Sequence, residues 1–123
     1  MFSKENEEAK IKQAETIIGP SIKVKGNFHG QGNIIIEGIV EGSVKTNSFL
    51  LVGSKAKIIA NIEAGDAKIG GEVQGNIKVK GYLEIKSSAK IQGDIEAAEI
   101  SIEKGAVFNG KCTMTAGLTK NKG

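Results

Sequence analysis

The chain has 123 residues, enough for one modest domain, with 17 glycines, one proline, no tryptophan and 4% aromatic residues. Its 17 basic residues are all lysine and stand against 14 acids, so the net +3 offers none of the arginine that usually reads phosphates and bases, and no nucleic-acid partner is expected. The single cysteine excludes an internal disulfide and a multi-cysteine metal site, and no run approaches the ~18 apolar residues of a membrane span.

Residues 1–19 are polar and mixed in charge, without alternation, and read as a flexible tail. The opening "MFSKENEEAK" lacks the apolar run of a secretory leader, so a cytoplasmic location is expected. From residue 20 to about 115 the pattern changes to apolar–polar alternation, the period of strands. Ile22, Val24 and Phe28 begin it, and the glycine-rich "GNFHGQGN" (26–33) follows. Then one phrase recurs: "GIVEGSVKT" (38–46), "AKIIANIEA" (56–64), "GEVQGNIKV" (71–79), "AKIQGDIEA" (89–97) and "AVFNGKCTM" (106–114). Each places a large residue third, Gly or Ala fifth, and a second apolar or sulfur-bearing residue seventh.

The small residues Gly42, Ala60, Gly75, Gly93 and Gly110 are spaced by 18, 15, 18 and 17 residues. A period near 17 is too short for helical hairpin repeats or propeller blades, and it suits one winding of a β-solenoid. Between the phrases lie inward-facing pairs two residues apart: Ile34/Ile36, Leu50/Val52, Ala67/Ile69, Leu83/Ile85 and Ile100/Ile102. Short polar corners such as "GSKAK" and "KSSAK" link them, and "GGE" (70–72) shortens one winding. The first winding is less regular, with only 12 residues from Gly30 to Gly42. The expected fold is all-β, a single-domain parallel β-helix of about six turns over 20–115, followed by a short basic tail at 116–123.

The outward positions test that register. Stacked turns place equivalent side chains about 4.8 Å apart, where like charges repel and opposite charges help by roughly 0.2–1 kcal/mol. One column reads Lys45, Glu63, Lys78, Glu96, Thr113 and another Ile39, Lys57, Glu72, Lys90, Val107. Charge alternates in both.

Signals for chemistry are weak. His29, the only histidine, points outward by alternation, with no long loop to build a pocket around it. The glycines at 26–33 precede no helix or phosphate-binding lysine. Cys112 takes the place of Ile62, Ile77 and Ile95 and reads as a small core residue. Asp66 and Asp94 fall in different columns, so no calcium cluster, metal or cofactor is expected, and no catalytic residue. A left-handed β-helix acyltransferase-like enzyme and a non-polymerising interaction module remain as alternatives.

The stretch "VKGNFHGQGNIIIEGIVEGSV" (24–44), with the later V-x-G-x-I and I-x-G-x-I phrases at 73–77 and 91–95, resembles the bactofilins, bacterial cytoskeletal proteins. "MFSK" at the start resembles a membrane-targeting opening seen in part of that family. The resemblance implies a right-handed, roughly triangular β-helix that assembles end to end into nucleotide-independent, non-polar filaments. It also implies a scaffold at the inner membrane face that localises cell-wall or morphogenesis proteins, peptidoglycan-modifying enzymes among them. Met1, Phe2 and Lys4 would be the membrane contacts, although the "ENEE" that follows opposes attraction to anionic lipid.

A solenoid that stays soluble caps its two ends; here both ends carry large apolar residues. Phe108, Cys112 and Met114 occupy core positions of the last winding, and Ile22, Val24 and Phe28 those of the first. These two sets are the expected polymerisation faces.

Overall fold

The computed structural model describes residues 14–115. The expected membrane contacts Met1, Phe2 and Lys4 and the expected tail at 116–123 lie outside the described residues. Within them the structure is all strand, in chain order β1 (Ala14–Ile18), β2 (Lys23–Gly30), β3 (Asn33–Ile36), β4 (Ile39–Thr46), β5 (Phe49–Val52), β6 (Lys57–Ala64), β7 (Asp66–Ile69), β8 (Glu72–Gln74), β9 (Ile77–Ile85), β10 (Lys90–Gln92), β11 (Ile95–Ile102), β12 (Val107–Asn109) and β13 (Cys112–Met114).

Every pairing is parallel and joins one winding to the next, which is a β-solenoid of about six turns. Three lateral faces result. Face A stacks the leading halves of β2, β4 and β6 with β8, β10 and β12. Face B stacks the trailing halves of β2, β4 and β6 with the starts of β9 and β11 and with β13. Face C stacks β1, β3, β5 and β7 with the ends of β9 and β11.

Alternation explains the core. Val40, Ile58, Val73 and Ile91 form one inward column on face A, each 0% exposed. Val44, Ile62, Ile77 and Ile95 form the face B column, and Leu50, Ala67 and Leu83 one on face C. Each Ile, Val or Leu contributes roughly 1.5–3 kcal/mol by leaving water. Thr46 is the one polar residue buried among the described residues, and its hydroxyl donates to the Gly32 carbonyl at 2.6 Å.

At the edge between faces A and B the chain turns sharply. Gly42, Gly75, Gly93 and Gly110 adopt φ of +128° to +149°, and a Cβ on any of them would collide with the carbonyl oxygen of the preceding winding's equivalent residue. After Ala60, Gly75 and Gly93, the next residue satisfies the backbone of the following turn. Asn61 Oδ1 accepts the Asn76 N–H at 3.0 Å, Asn76 Oδ1 the Asp94 N–H at 3.1 Å, and Asp94 Oδ1 the Lys111 N–H at 3.1 Å. Side-chain oxygens thus replace ladder bonds where the strands bend.

Both charge columns fall in the expected register: Lys45 pairs with Glu63, Glu63 with Lys78 and Lys78 with Glu96, while Lys57, Glu72 and Lys90 align on face A. Lys45 Nζ lies 3.3 Å from Glu63 Oε1. Glu63→Lys would put three lysines in line at positions 45, 63 and 78. Its expected effect is a loss of about 0.5–1 kcal/mol at low salt that shrinks as salt screens the repulsion, read by urea melts at two ionic strengths.

Two expectations change. The solenoid begins before residue 20, because β1, inside the expected tail, pairs in parallel with β3 and buries Ile18. The first winding is also regular once measured from Gly26, which pairs with Gly42 at a spacing of 16 residues, and not from Gly30, which pairs with Thr46. Two glycines four residues apart offered two rulers, and the positive φ of Gly26 (141°) selects the correct one.

Candidate end-face interfaces

The columns that are buried along the solenoid become accessible at its ends. Phe108 stacks directly beneath Ile91 yet is half-buried, because β12 pairs with β10 and no described strand lies beyond it. Cys112 follows Ile95, which is 1% exposed, and is itself exposed. Met114 follows the fully buried Ala97 and is half-buried. The reading of Cys112 as a core residue therefore holds for its column but not for its surroundings: among the described residues no further winding stacks on it. The partial burial that remains still pushes its thiol pKa up.

Face C adds two residues that the alternation pattern places only in the core. Ile102 is 49% exposed and Ile100 half-buried, although the residues stacked on their other side, Leu83 and Ile85, are 0% exposed. Their place as the last of five apolar pairs was the signal available. The corner beside them is clamped. Lys86 Nζ lies 2.9 Å from Glu103 Oε2 and 3.3 Å from Glu84 Oε2, and the Ser87 N–H donates to Glu103 Oε1 at 2.9 Å. The Lys86 ammonium, and then the Ser87 amide, hold the Glu103 carboxyl below its ordinary pKa, while Glu103 first and Glu84 next hold Lys86 above its own. This clip ties the last corner to the one before it and orients the terminal winding.

At the other end, Val24 and Phe28 lead the columns continued by Val40 and Val44 and are half-buried. The Phe28 ring lies about 4.0 Å from the space a Cβ on Gly26 would fill, so the glycine edge and the aromatic pack side by side. Ile22 differs. It stands 47% exposed at the corner between faces C and A, in a column continued by the small residues Gly38 and Ala56, and its carbonyl accepts the Ile39 N–H at 2.9 Å. This end is also only partly bare, since β1 adds a strand on face C alone.

Both ends thus present an apolar rim on strand edges that pair on one side only among the described residues. Such edges add strands readily.

His29 is exposed on face B, in register with Lys45. Two grooves of about 320 Å³ each run along the same face, but residues from Ser43 to Thr113 line them and His29 does not. Asp66 and Asp94 serve the backbone: Asp66 Oδ1 accepts the Tyr82 N–H at 2.8 Å, and Asp94 Oδ1 the Lys111 N–H at 3.1 Å. Among the described residues no group of three or more His, Cys, Asp or Glu side chains is placed to hold a metal, and no helix is long and apolar enough to cross a membrane.

Comparison with known proteins agrees with the fold. A family model described as "Bactofilin: Polymer-forming cytoskeletal" matches residues 16–113. Bactofilin BacN of Myxococcus xanthus (strain DK1622) is 58% identical over 102 residues, covering 83% of this chain and 90% of the relative. No solved structure matches.

Proposed function

The chain belongs to the bactofilins, polymer-forming structural proteins of the cytoskeleton and not enzymes, and on that premise we propose that it polymerises by joining like end to like end. Phe108, Cys112 and Met114 make one joint, and Ile22, Val24 and Phe28 the other. The observation that carries this reading is the break in the face A column, where Val40, Ile58, Val73 and Ile91 are 0% exposed and Phe108, the largest member, is not covered.

Like-to-like joining follows from the distribution of bulk. A two-fold axis across the solenoid that exchanges faces A and B returns face C onto itself. It lays Phe108 of one subunit over Cys112 of the next at one end, and Val24 over Phe28 at the other. Large side chains then meet small ones at each joint, and strand edges meet antiparallel. Two self-complementary faces at opposite ends generate an open, unbranched, non-polar filament. No nucleotide enters this scheme, since assembly draws on apolar burial alone.

Such a filament would serve as a scaffold at the inner membrane face, localising cell-wall or morphogenesis proteins. Each subunit would contribute Met1, Phe2 and Lys4, a weak contact that repetition along a filament makes stable.

The test uses the one cysteine. Protein without nucleotide is viewed by negative-stain electron microscopy and treated with a short bismaleimide on the alkaline side, where the thiol ionises. Like-to-like joints bring two Cys112 residues to one interface and give covalent dimers, never longer products. Head-to-tail joints separate them by six windings, about 29 Å, beyond the reagent's reach. Filaments without covalent dimers would overturn the non-polar arrangement; small particles alone would overturn polymerisation by these faces.

A further inference from the structure

The residue before each edge glycine or alanine falls in one outward column on face A: Lys25, Glu41, Ile59, Gln74, Gln92 and Asn109. Asn109 ends the column, and of all the asparagines in the chain it alone is followed by glycine. Both Asn109 and Gly110 are exposed. Along this edge the Gly75 N–H donates to the Gln92 carbonyl at 2.9 Å and the Gly93 N–H to the Asn109 carbonyl at 3.0 Å, each reaching into the following winding. The Gly110 N–H, next in that series, has no acceptor among the described residues. The Asn109 side chain likewise makes no hydrogen bond among them, whereas Asn61 and Asn76 give their side-chain oxygens to the next turn and precede isoleucine. A Cβ on Gly110 would strike the Gly93 carbonyl oxygen, so the steric demand that fixes glycine here also leaves its nitrogen unscreened.

We propose that Asn109 and Gly110 form a self-modifying pair at the C-terminal end, reactive when that end is bare and silenced when two such ends join. The silencing rests on the end-to-end reading above; the reaction itself does not. The Gly110 amide nitrogen gives up its proton to hydroxide or water and attacks Asn109 Cγ. The tetrahedral adduct takes up a proton and expels the side-chain nitrogen as ammonia, closing a five-membered succinimide. Water then opens either carbonyl, leaving aspartate or the isomer whose main chain runs through Cβ and Cγ. No electron changes hands: one water enters and one ammonia leaves. Ring closure requires the linkage to rotate out of extended strand geometry, and a strand paired on one side only, as β12 is with β10, does so by fraying. A second end stacked on β12 would hold the strand closed and supply an acceptor, suppressing the open form. The product matters for assembly. Its new carboxylate stands next to Phe108, and a two-fold joint brings two of them together against apolar surface. The isomer also lengthens the main chain just before the glycine that leads into β13, which carries Cys112 and Met114. Either product marks an end that has stayed bare and removes it from growth.

The experiment ages wild type, as filaments and as subunits diluted below assembly, beside Phe108→Arg, whose C-terminal end stays bare. Incubation is at mildly alkaline pH, and peptide mapping by mass spectrometry follows residue 109, with the isoaspartate peptide resolved by its separate elution. The bare-ended samples should gain one mass unit at Asn109, as an aspartate and isoaspartate doublet, ahead of every other asparagine. Filaments should convert at least about tenfold more slowly, because the joint binds only the closed end. Aged subunits should then fail to extend beyond dimers when concentrated. Asn109→Gln, which repeats the Gln–Gly pairs of residues 74–75 and 92–93, should stay unmodified and still extend after the same ageing. Bare ends in which Asn109 is unchanged, or converts no faster than Asn27 or Asn33, overturn the reactive pair. Equal rates in filaments and subunits overturn silencing by the joint. Conversion in a wild type that forms no filaments supports the reactive pair and overturns the end-to-end reading together with its silencing.

Discussion

Phe108→Arg is expected to leave the solenoid folded and to stop filament growth at dimers. The side chain is half-buried at the end of a column, so its replacement removes little from the subunit's own core, and the melting temperature should move by only a few degrees. At the joint the same change counts twice, because a two-fold interface contains two copies. Losing about 1.5–3 kcal/mol for each Phe lowers joint affinity by roughly 10²- to 10⁴-fold, before the cost of placing two guanidinium groups against apolar surface. The N-terminal faces are untouched and still pair. Sedimentation velocity should therefore show a monomer–dimer equilibrium where the wild type pellets. Filaments in the variant would remove Phe108 from the interface, and aggregation with loss of the β signature would show that it belongs to the core.

Gly93→Val carries the largest expected effect on stability. At φ +144° a β-branched residue is strained by about 1–3 kcal/mol, and its Cβ would drive into the Gly75 carbonyl oxygen, a backbone atom fixed by the winding it closes. Together these should lower the melting temperature by more than about 10 °C. In a solenoid each turn touches only its neighbours, so damage is local in sequence. The windings after Gly93 lose their footing first. Hydrogen exchange should report fast amides in β11–β13 and retained protection in β3–β7. Assembly should stop at N-terminal dimers, because the C-terminal face has lost its platform. Gln92→Val, one residue away and exposed, should stay within about 0.5 kcal/mol of wild type. Equal protection in both halves would show that the edge glycines are not what couples one winding to the next.

The two variants separate surfaces that the sequence presents in a single column. Val73, Ile91 and Phe108 look alike as a pattern, one large apolar residue per period, and alternation alone places all three inside. Whether such a residue is core or interface depends on whether another winding stacks on it, and that is a property of the whole coil. The same holds for Ile100 and Ile102, which read as one more inward pair and prove to lie partly open at the end of face C. It holds for Cys112, apolar by position and exposed in fact.

Much of the architecture was legible because a solenoid is written in one dimension. A period near 17, a small residue at each edge and charge columns that alternate in sign determine parallel stacking and register without long-range information, since each residue's neighbour is its counterpart one repeat away. The pairings Lys45–Glu63–Lys78–Glu96 and Lys57–Glu72–Lys90 follow from that period alone. Tertiary structure decided what a repeat does not encode. It chose Gly26 over Gly30 as the first edge, because only the stacked backbone reveals which glycine needs the positive φ. It recruited Ala14–Ile18 as a strand, because an exposed β3 edge offers backbone partners to a segment with little alternation of its own. It also aligned Ile17, Ile35 and Leu51, 18 and 16 residues apart, into one outer strip. Each of those residues is an unexceptional member of an Ile- or Leu-rich run in the sequence, and only parallel stacking turns that spacing into a surface.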